Sequence, residues 1–178
     1  MISHRKHAGF SMIEVLVTIA ILTFGLLALA GLQGRAVTAQ MEAYQRSQAL
    51  VLLKDMAARI NANRKNAASY VAAVGTGATC PAVGTTVAIK DLNDWCDALL
   101  GAAELQGASN VGAMIGARGC ITQTVAPSTG VASQYLVAVA WQGLNSTKAP
   151  SNACGKDQYG NEAMRRVVVL PVNIANLN

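Results

Sequence analysis

Between Val15 and Leu32 the chain runs for 18 residues without a charge. A stretch of that length and polarity is enough to cross a bilayer as a helix, and it constrains everything that follows it. Residues 1–9, MISHRKHAG, are short, basic and polar, whereas residues 10–32, FSMIEVLVTIAILTFGLLALAGL, are apolar apart from Glu14 and a few hydroxyls. With the basic flank N-terminal, the positive-inside rule puts residue 1 in the cytoplasm and the bulk of the chain outside. Glu14 breaks the pattern. A carboxylate at mid-membrane costs about 2.5–3.5 kcal/mol, and less near an interface or at the positive end of a helix dipole. Snorkelling to the cytoplasmic surface and a functional role account for it equally well.

A secretory signal peptide is the competing reading. Ala28-Leu29-Ala30 offers an A-x-A cleavage pattern before Gly31, although the apolar run is longer than the usual h-region of about 7–15 residues. The junction Gly9-Phe10-Ser11-Met12-Ile13-Glu14 resembles the type IV prepilin motif. That resemblance implies that a prepilin peptidase cuts after Gly9 and methylates the new N-terminal Phe10. It also implies that Glu14, fifth in the mature chain, pairs during assembly with the Phe10 ammonium of a neighbouring subunit. The costly carboxylate would then have the partner that intramembrane charges generally need.

The rest of the chain has ample apolar surface to bury, at 52% hydrophobic and only 13% charged residues, which excludes disorder. Net charge is +5; without Arg5 and Lys6, twelve basic residues face nine acidic ones and +3 remains. A balance so near neutral argues against nucleic acid as a partner. Both histidines, His4 and His7, lie in the leading stretch. A mature chain lacking it excludes a Ser-His-Asp triad, a Cys-His pair and a His-ligated zinc. No glycine-rich phosphate loop, H-E-x-x-H or G-x-S-x-G is present, so no catalytic residue, cofactor or metal is expected, and the chain does not read as an enzyme. Cys80, Cys96, Cys120 and Cys154 contain no C-x-x-C pair and read as two disulfides formed in an oxidising compartment. Three pairings are open, with proximity favouring Cys80–Cys96 and Cys120–Cys154.

Helical periodicity continues beyond the apolar run through Val37, Met41, Tyr44, Gln48, Leu52, Met56 and Ile60, and no proline interrupts residues 10–63. One helix of about 54 residues, roughly 80 Å long, is predicted. Its first half would lie in lipid and its second would pack on a head formed by residues 64–178, with Gly25, Gly31 and Gly34 as weak points. Residues 61–90 read as a loop-rich connection. Lys90 to Gln106 reads as a second helix, with Leu92, Trp95, Cys96, Leu99, Leu100 and Ala103 as its apolar stripe, Asp91 as N-cap, and Asp94 and Asp97 on a solvated face. Three strands follow, Cys120–Val125, Gln134–Gln142 and Arg166–Ile174, forming an antiparallel meander in which Pro171 marks an edge strand or a bulge. Arg165-Arg166 reads as a solvated edge or a partner contact in preference to a nucleic-acid patch, and Asn145-Ser146-Thr147 is a glycosylation sequon by pattern only.

FGLLALAGLQ at 24–33, SQALVLLKDMAARINANR at 47–64, Gly119-Cys120-Ile121, YLVAVAWQG at 135–143 and RRVVVL at 165–170 together resemble the PilV class of minor pilins. Roughly 66–118 lies outside that resemblance, and Gly31 stands where many major pilins carry proline. The resemblance implies an α+β, type IV pilin-like fold, a long helix on a small antiparallel head with disulfides. It implies a scarce subunit anchored in the inner membrane, whose head is periplasmic before it reaches the pilus tip. There it would join other minor pilins and the major pilin in a complex that primes assembly, with a tip adhesin as a further candidate partner. The alternatives are an I-type minor pseudopilin of type II secretion, a secreted binding protein or enzyme released after Ala30, and a DNA-receptor pilin using Arg165 and Arg166.

Overall fold

The computed structural model describes residues 9–102, 104–107, 109–110 and 112–175. The leader positions 1–8, with both histidines, and Ala103 of the expected second helix lie outside the described residues. By its internal contacts the chain divides into two compact units, Met1–Met41 and Glu42–Asn178. Among the described residues, helix α1, Met12–Ala62, supplies all the regular structure of the first unit. It passes through Gly25, Gly31 and Gly34 without interruption, so none of the three breaks the backbone hydrogen bonding.

In the second unit, the last turns of α1 are followed by a 3-10 segment (Arg64–Tyr70), β1 (Ala72–Gly75), α2 (Val87–Leu100), a short hairpin of β2 (Leu105–Gln106) and β3 (Ser109–Asn110), then β4 (Ile115–Val125), β5 (Ser133–Gln142) and β6 (Arg165–Ile174). The main sheet is antiparallel in the order β1-β4-β5-β6. Strands β4, β5 and β6 form the expected meander, and Pro171 falls in the edge strand β6, where a missing N–H costs no internal ladder bond. The long helix packs on this sheet through its last turns, and the architecture fits the pilin fold.

Two faces of β5 organise the unit. Tyr135, Val137, Val139 and Trp141 point inward to the main core, which also takes Leu53, Met56 and Ile60 of α1 and Leu92, Trp95 and Leu99 of α2. Ala138 and Ala140 point the other way, into a second small cluster with Cys154. On the inner face Gly119 lies under the Trp95 ring, and any side chain there would collide with Trp95 and Leu99. Trp95 in turn donates its indole N–H to the Leu52 carbonyl of α1 at 3.0 Å, which satisfies the polar end of a buried aromatic.

Several expectations need correction. The buried face of α1 consists of Gln45, Ala49, Leu53, Met56, Ala57 and Ile60, whereas Tyr44 is 48% exposed. Apolar residues occupy more than one face of this helix, so periodicity alone selected the wrong stripe at its start. Residues 61–90 are not merely a loop: they contain the 3-10 segment, β1 and the start of α2. A four-residue strand is too short to show an alternation. Helix α2 begins earlier than expected because Thr86 caps it, accepting from the Ile89 N–H, and it ends earlier because Gly101 turns left-handed at φ 72°. Asp91 is therefore no N-cap, and Gln106 belongs to β2.

Candidate processing and assembly site

The N-terminal motif is laid out on the start of one helix. Gly9 and Phe10 precede α1, and Ser11 caps it: the Ile13 N–H reaches Ser11 Oγ at 3.4 Å and the Val15 N–H reaches the Ser11 carbonyl at 3.3 Å. A serine at this position satisfies donors that the first turn leaves free. Glu14 follows inside that first turn, at the end of the helix dipole that favours a negative charge. It makes no ion pair or hydrogen bond among the described residues. Phe10 is 83% exposed, and the apolar side chains behind it, including Leu16, Leu22, Phe24 and Leu27, are exposed as well. The hydroxyls of Thr18 and Thr23 donate back to the Val15 and Ile19 carbonyls, so neither of these two donors faces lipid unpaired. Among the described residues, α1 is long and apolar enough to cross a membrane.

In the second unit disulfides join Cys80 to Cys96 and Cys120 to Cys154, with Cα atoms 5.7 and 5.8 Å apart. The first ties the connection before α2 to its buried face, and the second ties the loop between β5 and β6 to β4.

Arg165 and Arg166 are neither a solvated edge nor a cationic patch. Alternate residues of a strand point to opposite faces, and these two use both. Arg165, 2% exposed, faces outward, pairs with Glu162 at 2.5 Å and donates to the carbonyls of Asn152, Cys154 and Pro150. Arg166 faces the helix side, donating to the Asn145 and Ala163 carbonyls and to Glu42 Oε1 at 3.2 Å. That same oxygen accepts from the Leu144 and Asn145 N–H groups at 3.1 and 2.9 Å. Burial pushes the Glu42 carboxyl up, but these backbone donors and the guanidinium outweigh it and hold it below the usual carboxylate range. The DNA-receptor reading rested on these two arginines, and both are spent inside the fold.

The expected acidic face of α2 is also engaged. Arg59 of α1 bonds Asp55 at 2.9 Å, Asp91 at 2.8 Å and Asp94 at 3.3 Å, while Asp97 stays exposed. Asp91 further accepts from the Tyr70 hydroxyl at 2.5 Å. Burial and this contact push the Tyr70 phenol up to about 12. Sequence reasoning missed Glu42, Arg59 and Tyr70 as partners, since each acts across more than 20 residues and nothing local announces such a pair.

Residues 31–99 match the family model Tt1218-like, described as type IV pilin Tt1218, and residues 4–30 match the prokaryotic N-terminal methylation motif. No curated protein and no solved structure matches the chain. The two family matches support a type IV pilin. For a type IV pilin the methylation motif implies processing by prepilin peptidase and assembly with other pilins. With the apolar helix, it suggests membrane anchoring and incorporation into a pilus. The pilin family is structural, not enzymatic.

Proposed function

We propose that this chain is a minor pilin of the PilV class. Prepilin peptidase cuts after Gly9 and methylates Phe10, and the mature subunit sits in the inner membrane with its head, residues 64–178, on the periplasmic side. It then enters the pilus with other minor pilins and the major pilin, in a tip complex that primes assembly. Glu14 meets the Phe10 ammonium of the next subunit. The observation that carries this reading is the placement of Gly9 and Phe10 just before, and Glu14 in the first turn of, a helix whose side chains from Val15 to Leu32 are exposed and uncharged. Such a surface is stable only in lipid or against other apolar helices. The disulfides of the head, Cys80–Cys96 and Cys120–Cys154, suit an oxidising compartment.

Intact mass and N-terminal sequence of the mature protein from its native cells test the processing step. A chain starting at N-methylated Phe10 is expected; one starting at Gly31 lacks both Phe10 and Glu14 and removes the pilin account. Glu14→Ala should still insert in the membrane yet be missing from sheared pili, and its normal recovery in pili contradicts the pairing role. Deletion of the protein should sharply reduce piliation. Unchanged piliation with failed protein secretion would instead favour an I-type pseudopilin.

A further inference from the structure

The main sheet has two edges, and they are unlike. At β1 the edge is four residues long and is closed at Gly75, whose N–H is taken by Cys96 Sγ of α2 at 3.2 Å. At β6 it is ten residues long and pairs with β5 without a register shift, from Gln142 against Arg165 to Ser133 against Ile174. One bond sets the phase of that ladder. Gly143 donates to the Met164 carbonyl at 2.8 Å, so in the alternating antiparallel pattern Arg166, Val168, Leu170 and Val172 turn their N–H and C=O groups toward β5. Val167, Val169, Pro171 and Asn173 turn theirs outward. Pro171 fits that phase, since its missing N–H falls on the open side. The Arg165 N–H is already spent on the Glu162 carbonyl. Among the described residues nothing accepts from the outward N–H of Val167 or Val169.

The side chains along this edge are open as well. Val169 is 47% exposed, and Pro171 is exposed beside it. Val168 and Leu170 stand half-buried at the margin of the main core, and Val167 at the margin of the small cluster around Cys154. No charge occurs from Val167 to Ile174 or anywhere in β5. The two cations that precede the stretch are neutralised inside the fold, Arg165 by Glu162 and Arg166 by Glu42. Edge strands are usually blunted by lysines, bulges or shortness. Here Pro171 alone does so, and it leaves Val167 and Val169 untouched.

We propose that the β6 edge binds an extended, uncharged segment of a partner protein, which pairs its backbone with Val167 and Val169 and adds a strand to the four-stranded sheet. A strand added at a sheet edge takes its affinity from main-chain bonds and its specificity from alternate side chains. β-branched side chains on the segment extend the row of Val168 and Leu170 on one face and that of Val167 and Val169 on the other. A carboxylate or ammonium in either row would lose water with no counter-charge to meet, which makes the segment an uncharged one. A second copy of this chain fits less well. Self-pairing about Val168 sets Val167 against Val169 across the axis and then brings Pro171 against Arg165. Two whole heads would meet through about three residues each, far short of the roughly 1,000 Å² of a specific interface. A free segment brings no second head and can follow β6 on to Asn173. The site lies within the second unit and stands whether or not the chain enters a pilus.

The test uses the full chain in detergent and a fluorescein-labelled, end-capped peptide, Thr-Val-Thr-Val-Thr-Val-Thr, read by anisotropy. The backbone nitrogens of its five central residues are methylated one at a time. A paired strand turns alternate N–H groups toward its neighbour, so methylation should weaken binding about tenfold at every second position and hardly at those between. Aspartate in place of the central valine should weaken it by about as much. Val169→Pro removes an outward N–H in the way Pro171 already does, and should weaken the parent peptide about tenfold while thermal unfolding stays close to wild type. Equal effects of all five methyl groups, or binding that survives Val169→Pro unchanged, overturns the proposal. So does a dimer in sedimentation that Val169→Pro dissociates, because the edge would then belong to a second copy. Should Val169→Pro fail to fold, the methylation pattern on the unaltered chain decides by itself.

Discussion

The two faces of β5 solve the same problem by different means. Inward, Tyr135, Val137, Val139 and Trp141 join helices α1 and α2 in a core of large side chains, and burial of apolar area holds the layer together. Outward, Ala138 and Ala140 offer little area. The loop that covers them is held instead by a disulfide, Cys120–Cys154, and by Arg165 donating to three of its carbonyls. Small residues on that face are what allow the backbone of the loop to approach: a side chain on Gly155 would already stand 3.1 Å from Ala140 Cβ. A face that cannot be closed by hydrophobic contact is closed by covalent and ionic staples, and the two faces should therefore fail under different insults.

The largest effect is expected on the inner face. Trp95→Ala removes a ring that is 1% exposed, leaves a cavity over Gly119 and orphans the Leu52 contact, a loss of about 4 kcal/mol. Thermal unfolding in detergent should show it equally with and without reductant. Next comes the outer face. Replacing Cys120 and Cys154 together by alanine opens a loop closed over 34 positions and should cost about 3 kcal/mol. Hydrogen exchange should rise in residues 144–164 while α2 keeps its protection. A uniform rise across both would mean that the two faces are not separate after all.

This contrast explains what the sequence disclosed. Helix α1, the meander and the edge position of Pro171 were legible because long periodic segments and β-branched runs carry their own signal. The motif Gly9-Phe10 with Glu14 was legible because it is local. Strand β1 was not, since Ala72–Gly75 has neither length nor alternation. The roles of Arg165 and Arg166 were misread for a different reason. Sequence shows two adjacent cations, while strand geometry sends them to opposite faces, where carbonyls of distant turns and the carboxylates of Glu162 and Glu42 wait. Asp91 likewise serves Arg59 and Tyr70 and leaves the cap to Thr86. Long-range polar pairs have no sequence period, so they stay invisible until the fold brings them together.

Arg165→Met is a smaller and sharper test of the outer face. It keeps much of the aliphatic stem but strips three carbonyls of their donor, with an expected loss of about 2 kcal/mol. Combined with the double cysteine variant, the two losses should not add, because both act through the same loop. Additive losses would show that the disulfide and the arginine hold different segments.

The smallest effect links the two faces. Glu42 on α1 accepts from the start of the β5–β6 loop and from Arg166 on β6, so it joins the helix layer to the loop that covers the outer side. Its carboxyl titrates below the ordinary carboxyl value of 4.5 when folded. The stability it contributes is thus fully present above about the unfolded value and is lost as pH falls through the lower folded value, because the unfolded chain takes up the proton first. Glu42→Gln, which removes the charge but keeps an acceptor, should cost about 1 kcal/mol at neutral pH, in the range of a partly exposed ion pair. The gap between variant and wild type should close on acidification below 4.5. A gap that holds constant through that window would mean that Glu42 acts by shape, and that the tie between the two faces is not electrostatic.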